Sequence, residues 1–398
     1  MGVEEAISIA DLRALARRRL PKAVFDFIDG GAEGEITLKR NRSDFDRLQL
    51  LPRVLVNVSH RDPSTTILQM QSALPLIVSP TGLAALAWRD ADIALAAAAQ
   101  AHGVPFTVST ASSVSMERIR EAAPAARLWF QVYVYKDREL TRRLIRRARD
   151  IECEALVLTV DAPVLGQRER DLRNRFTVPL HMTPRLVWDL ARCPRWTAHI
   201  LRFGAPKMRN LMEGDATGSS VTSLADLMLR NMDASLDWRS IAWLREIWPR
   251  KIVLKGVLSP ADAALAVSQG IDALVVSNHG GRQLDGAAST IAMLSDVVSS
   301  VGGQAEVYID GSVQRGSDIA KALALGARAV MVGRATLFGV AAGGGAGAAR
   351  ALAIFAAEFD RCMALLGCAS AAKLNGSYLR HANIDPPATA SVFPIDDH

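Results

Sequence analysis

The chain is poor in cysteine. Cys153, Cys193, Cys362 and Cys368 are four in 398 residues with no C-x-x-C spacing, which excludes a disulfide framework and leads us to expect a reducing compartment. Its opening, MGVEEAISIADLRALARRRLP, lacks the apolar core of an export signal, and Ala6 stands where a myristoylation motif needs Ser or Thr, so neither is expected. No long clean apolar run exists either. The most apolar stretches, 74–87 and 337–356, are cut by Pro, Gly and, in the second, Arg350, so no transmembrane helix is expected. A G-x-G-x-x-G turn is also missing after the first strand-like run, which ends in Ser79-Pro80-Thr81-Gly82.

What is present is apolar and repetitive. With 49% hydrophobic and 22% charged residues the chain can bury a large core, which excludes intrinsic disorder. Short apolar runs close on polar or Gly residues at 74–80, 105–110, 127–134, 154–163, 251–257, 273–281, 306–312 and 329–335. Val and Ile fill them almost continuously, as in strands buried on both faces of a parallel sheet. Helical patterns lie between them, such as 90–103, 136–150, 259–270 and 316–327, several closing on Gly. Eight β–α units predict an α/β chain folded as a (β/α)8 TIM barrel; a doubly wound sheet is the alternative. We read 1–398 as one domain, with an N-terminal helical lead over 1–73, the barrel over 74–174 and 233–366, and a long insertion after strand four over 175–232.

The net charge is +6, from 47 basic against 41 acidic residues, which favours anionic partners. Part of that excess sits in the insertion. Between Pro179 and Met212 stand Arg185, Arg192, Arg195, Arg202, Lys207 and Arg209 against Asp189 alone, interleaved with Trp188, Trp196, Phe203 and aliphatic residues. Basic and aromatic residues together predict an interfacial membrane-binding segment or a docking face for an acidic partner; a solvated lid packed on its own barrel is the alternative.

Chemistry gathers at the C-terminal ends of the runs, where barrel enzymes build their sites. Ser277-Asn278-His279-Gly280-Gly281-Arg282-Gln283-Leu284-Asp285 brings an imidazole suited to general base work and a guanidinium suited to a carboxylate. Asp161 at the end of the fourth run is placed to orient and charge-stabilise the imidazole. Arg168 offers a second guanidinium, Tyr133 a phenol, and Lys255 a fixed positive charge suited to a ring that becomes anionic. Gly-rich turns after the seventh and eighth runs, Asp310-Gly311-Ser312 and Gly333-Arg334, occupy the usual place of a barrel phosphate site.

The SNHGGRQLD segment, IDGSVQRGSDIAKALALGA, VMVGRATLFG, the SPTG turn, QVYV and TVDAPVLGQRERDLRNRF together resemble the FMN-dependent 2-hydroxy acid dehydrogenase/oxidase family, with the membrane-associated mandelate and lactate dehydrogenases nearest. The resemblance covers nearly the whole chain. It implies FMN as cofactor and His279 as the base toward the substrate, with Asp161 stabilising its charged form. Arg168 and Arg282 would hold the substrate carboxylate, and Tyr133 the hydroxyl. Lys255 would stabilise the reduced flavin, and Pro80, Thr81 and Gly82 would line its ring. Ser109, Gln131, Thr159 and Ser277 would hydrogen-bond the cofactor. Asp310, Gly311, Gly333 and Arg334 would hold its ribityl chain and phosphate.

Two stretches depart from the family pattern. Val24-Phe25-Asp26-Phe27 stands where the family has V-Y-D-Y, so Phe27 lacks a hydroxyl toward the substrate, a loss of about 1–3 kcal/mol if the carboxylate is left short of a donor. The phosphate turn, D-G-G-x-R-R or near it in the family, reads Asp310-Gly311-Ser312-Val313-Gln314-Arg315: Ser312 adds a Cβ, Gln314 replaces a charged fork, and Arg315 is a possible substitute. The reading is oxidation of an L-2-hydroxy acid, mandelate-like before lactate, with electrons passing to a membrane quinone or a protein acceptor. An oxygen-using oxidase is one alternative, and a catalytically weak flavin-binding accessory protein is another. The resemblance further implies a cytoplasmic protein lying peripherally on the inner face of the membrane. It also implies a homo-oligomer, tetrameric in the family, with no metal and no nucleic-acid partner.

Overall fold

The computed structural model describes residues 1–175, 184–212 and 231–381. After three helices, Ile9–Arg19, Lys22–Asp29 and Ile36–Arg47, come strand β1 (Leu48–Leu50) and the hairpin β2 (Thr65–Ile67) and β3 (Met70–Ser72). Eight strands then close into one barrel: β4 (Leu76–Val78), β5 (Phe106–Ser109), β6 (Leu128–Val132), β7 (Ala155–Thr159), β8 (Lys251–Val257), β9 (Ala273–Val276), β10 (Glu306–Ile309) and β11 (Ala329–Val332). Every pairing is parallel, in chain order, and β11 closes on β4. A last strand, β12 (Leu379–His381), pairs antiparallel with β1.

The continuous apolar runs follow from burial on both faces. Ile77, Trp129, Val157, Val253, Val275, Tyr308 and Met331 fill the barrel, whereas Val78, Phe130, Leu156, Leu254, Leu274, Ile309 and Val330 point outward into the helical layer. Ile67 and Leu68 from the β2–β3 hairpin join the inner set and plug the N-terminal end. There Glu306 accepts the Tyr308 hydroxyl at 2.6 Å and the Leu68 N–H at 3.1 Å, while Glu154 takes Arg127 and the Trp129 indole. This end holds the barrel shut and leaves the other open.

The strands stop short of the predicted runs at their C-terminal ends. Tyr133, Asp161, His279 and Asp310 fall just beyond β6, β7, β9 and β10, because side chains aimed into the barrel mouth require the chain to leave the sheet. Before β8 runs the helix Arg239–Ile247. The apolar stretch near 337–356 lies in the long helix Arg334–Leu366, which breaks at Gly343 and Gly344, where Val3 and Trp88 pack against the backbone. By length and composition it would cross a membrane, yet Val340, Leu352, Phe355 and Phe359 are core residues.

The N-terminal lead folds back over the open end. Ser8 and Asp11 form a capping box for its first helix, which packs along Arg334–Leu366. The third helix starts at Glu35 with no cap of its own. Asp285 supplies one from far along the chain, accepting the N–H groups of Ile36 at 3.1 Å and Thr37 at 2.7 Å. Within the insertion, the helices Pro184–Arg192 and Pro194–Phe203 are described, and the rest of 176–183 and 213–230 lies outside the described residues. Trp196 is buried and donates its indole N–H to the Leu86 carbonyl at 2.8 Å, so this part is anchored on the barrel.

Candidate active site

A cavity of about 650 Å³ spans the barrel mouth beneath the lead. His279 lines it, and its Nδ1 lies 2.9 Å from Asp161 Oδ1. His279 adopts φ +57°, in the left-handed region that costs a non-glycine residue about 1–2 kcal/mol. Such strain at a loop that aims a side chain is a mark of function. Opposite, Gly256 follows Lys255 with φ +111°, and a Cβ there would come within 2.6 Å of Asp161 Cβ, so only glycine leaves Asp161 its seat. Burial alone would push the Asp161 carboxyl up, but the charge and hydrogen bond of His279, with Lys255 beyond, hold it below its ordinary value. An ionised Asp161 only accepts hydrogen bonds. The proton of the neutral imidazole therefore sits on Nδ1, leaving the Nε2 lone pair free.

Gln283 fixes this pair from behind. Its amide donates to the carbonyls of Asp161 at 3.1 Å and Val164 at 2.9 Å and accepts from Gly166 N–H at 3.2 Å. Lys255 is buried between Asp310 at 2.7 Å and Ser277 at 2.9 Å. Burial lowers its affinity for a proton, yet the charges of Asp310 and Asp161 more than offset this and keep it an ammonium.

Two guanidiniums flank the His–Asp pair. Arg282 donates to the carbonyls of Phe27 at 2.7 Å and Gly30 at 3.0 Å, and Arg168 lies 3.6 Å from Asp171. Both stand over the Phe27 ring, at 5.3 Å for Arg282 and 5.5 Å for Arg168. Phe27 thus lacks the expected phenol but offers a π face to two like charges. Burial and the neighbouring Arg168 and Arg334 pull the Arg282 pKa well down, so an incoming anion relieves a local positive excess. Burial drives the Tyr133 phenol upward, which keeps it a proton donor.

Pro80, Thr81 and Gly82 form another wall, with Ser109, Gln131 and Thr159 beside them. The Gln131 Oε1 accepts from Ser109 Oγ and Thr110 N–H. Gln131 Nε2, Thr159 Oγ1 and Asp310 Oδ1 are buried with no partner in the protein, an uncommon state that marks a surface built for a polar ligand. At the β10–β11 end the turn passes through Gly311 at φ +96° and Ser312 at φ +62°, and Gly333 begins a helix with no side-chain cap. Its first-turn N–H groups suit that end to an anion.

Most residues expected at the site line this cavity, with three exceptions: Asp161, which meets it through His279, Ser277 and Arg315. Ser277 lies beneath it, holding Lys255. Arg315 points away, 2.9 Å from Glu358, so it does not stand in for the guanidinium missing at Gln314; its side chain has a nearer carboxylate on the long helix. Arg334 lines the cavity, but its guanidinium is engaged by the carbonyls of Ile28 at 3.1 Å, Gly280 at 2.8 Å and Gly30 at 2.7 Å. It ties the lead to the His279 loop. Sequence reading passed over Met208 and Met232, which line the opposite end, as well as Gln283 and Gly256. The last two lay in or beside the motifs; the methionines carried no signal.

Known proteins resemble this chain over nearly its whole length. The family profile of the FMN-dependent dehydrogenases matches residues 16–381. The (S)-mandelate dehydrogenase of Pseudomonas putida is 41% identical over 393 residues, covering 99% of this chain and 97% of that protein. An L-lactate oxidase of a Nostoc species is 39% identical over 382 residues, covering 95% of this chain and 99% of its own. The solved structure of a monotopic membrane protein, (S)-mandelate dehydrogenase, superposes with a TM-score of 0.91 at 42% identity, over 95% of this chain and 100% of that one. With the profile spanning the lead, the barrel and β12, this chain belongs to the FMN-dependent dehydrogenase family.

Proposed function

We propose that the protein oxidises an L-2-hydroxy acid to the 2-oxo acid, an aromatic acid of the mandelate type before lactate, and passes the electrons to a membrane quinone or a protein acceptor. The observation that carries this reading is the His279–Asp161 pair at 2.9 Å, set beside Arg168 and Arg282 in one cavity.

The residues present fit FMN. Gln131 Nε2, Thr159 Oγ1 and Asp310 Oδ1, buried without partners, suit the polar edge of a flavin ring, and the Gly311 and Gly333 turns suit its phosphate. Ser109 and the Pro80-Thr81-Gly82 wall would flank the ring, and the Lys255 ammonium would face its polar edge. When bound, FMN supplies the two-electron acceptor for the oxidation. The chain's own residues then have separate duties. Arg168 and Arg282 bind the carboxylate, and Tyr133 donates to the hydroxyl oxygen. His279 Nε2 takes the proton, and Asp161 stabilises the imidazolium that forms.

Peripheral membrane contact on the cytoplasmic face is included in this reading, and the insertion supports the contact itself. Trp196 anchors it inward, while Val187, Trp188, Leu201 and Phe203 remain 46–82% exposed among Arg192, Arg195 and Arg202. Apolar and cationic groups presented together suit an anionic lipid surface. Assembly as a tetramer is part of the same reading.

Two measurements test it. Anaerobic addition of (S)-mandelate or L-lactate to the purified yellow protein should bleach the flavin; protein that takes up no FMN, or is not bleached by any 2-hydroxy acid, overturns the reading. The triple variant Trp188→Ser, Leu201→Ser, Phe203→Ser should lose flotation with anionic vesicles while keeping activity with a soluble dye. Unchanged flotation removes the membrane assignment.

A further inference from the structure

The cavity has two chemically distinct ends. One lies at β10 and β11 and is built for an anion. The other lies across the barrel at β5 and β6, and there Met208 and Met232, both within the insertion, line it. Both are held by backbone pairing to the strand ends. Beside Met208, Arg209 N–H donates to the Ser112 carbonyl at 3.0 Å, and the Asn210 amide donates to the Ser109 carbonyl at 3.0 Å. Around Met232, Lys136 N–H donates to the Asn231 carbonyl at 2.8 Å and Asp233 N–H to the Val134 carbonyl at 2.9 Å. The two thioethers are only 6% and 5% exposed, so their positions are set by packing.

Ala162 and Leu165 also line the cavity, and neither side chain brings a charge or a hydrogen-bond donor. The carbon that is oxidised carries a carboxylate, a hydroxyl, a hydrogen and one variable group. Arg168 and Arg282 are suited to the first and Tyr133 with His279 to the second. The apolar end at Met208 and Met232 is suited to the variable group. Methionine is unbranched and polarisable, and its sulfur makes favourable contacts with aromatic rings.

We propose that Met208 and Met232 are specificity-determining residues that receive the substrate's side chain and select a flat apolar group, phenyl, over methyl. This rests on the hydroxy acid reading above. It also gives the insertion a second duty, since two of its residues build the substrate pocket.

The test uses the FMN-loaded enzyme with a soluble dye, comparing kcat/KM for (S)-mandelate and L-lactate in Met208→Ala, Met232→Ala and the conservative Met→Leu changes. Each Ala variant should lower the mandelate-to-lactate ratio of kcat/KM about tenfold or more, with FMN content unchanged, while Leu restores the ratio. A ratio unchanged in both Ala variants, or a parallel fall for both substrates, overturns the assignment. If an Ala variant fails to fold, Met→Gln, which keeps the length and adds polarity, must show the same drop or the assignment falls. Wild-type enzyme inert to both acids would remove the underlying reading instead, so the two failures are told apart.

Discussion

His279 Nδ1 faces Asp161 Oδ1 at 2.9 Å, and the second Asp161 oxygen is buried with no partner in the protein. The carboxylate therefore has one main task, to fix the imidazole and balance its charge. Asp161→Asn keeps the shape and removes the charge. We expect kcat to fall by about two to four orders of magnitude with FMN still bound. Stopped-flow reduction of the bound flavin by substrate checks this, and a loss below tenfold would reassign Asp161 to structure alone.

Phe27 supports two guanidiniums at 5.3 and 5.5 Å. Phe27→Tyr adds a donor where the carboxylate is expected and should lower KM about tenfold, the equivalent of about 1.4 kcal/mol for one hydrogen bond to a charged group in a partly wet site. Phe27→Leu removes the π face and should raise KM by a similar factor. Steady-state KM for one substrate across the three proteins checks both directions. Equal KM values would mean that the ring merely fills space.

Gln314 leaves the phosphate end one guanidinium short, and Arg315 is held by Glu358. Gln314→Arg should tighten FMN about tenfold, read from quenching of flavin fluorescence, and leave riboflavin, which has no phosphate, unaffected. Arg315→Ala should leave FMN affinity unchanged and lower Tm. Weakened FMN in Arg315→Ala would return that residue to the phosphate site.

Burial pushes the carboxyl of Asp92 up to about 7, against hydrogen bonds from Ser112 and Ser113. In the unfolded chain the same group titrates near its ordinary value of about 3.9. Between those values the folded state holds the extra proton, so stability falls as pH rises from about 4 to about 7 and is level above, with a slope of up to about 1.4 kcal/mol per pH unit. Asp92→Asn removes this dependence. Urea unfolding at pH 5 and pH 7.5 should show a smaller difference for the variant than for the wild type; parallel behaviour would show that Asp92 does not titrate in this window.

The barrel was legible in the sequence because strands buried on both faces, such as Leu156 and Val157, leave uninterrupted apolar runs. His279, Asp161, Arg282 and Lys255 were legible because each sits just after or at such a run. The partners of Arg334, Arg315 and Asp285 were not. A long side chain chooses among acceptors brought close only by the finished fold: a carbonyl of the lead for Arg334, a carboxylate of the long helix for Arg315, two helix N–H groups for Asp285. Met208 and Met232 were hidden for another reason. Methionine in an apolar segment reads as core, and here it is core that happens to face the cavity.

Arg334 reaches back across 306 positions to Ile28 and 304 to Gly30. On the ribosome, those carbonyls emerge among the first residues and their guanidinium among the last of the barrel. The helices that roof the pocket therefore have no docking partner for most of synthesis, and Ile9, Leu12 and Ala16 stay uncovered until the long helix they pack against is made. Competence to hold cofactor and substrate is thus a property of the nearly complete polypeptide. A nascent chain halted after β9 would carry His279 and Asp161 already made, yet have neither roof nor anion turn over them.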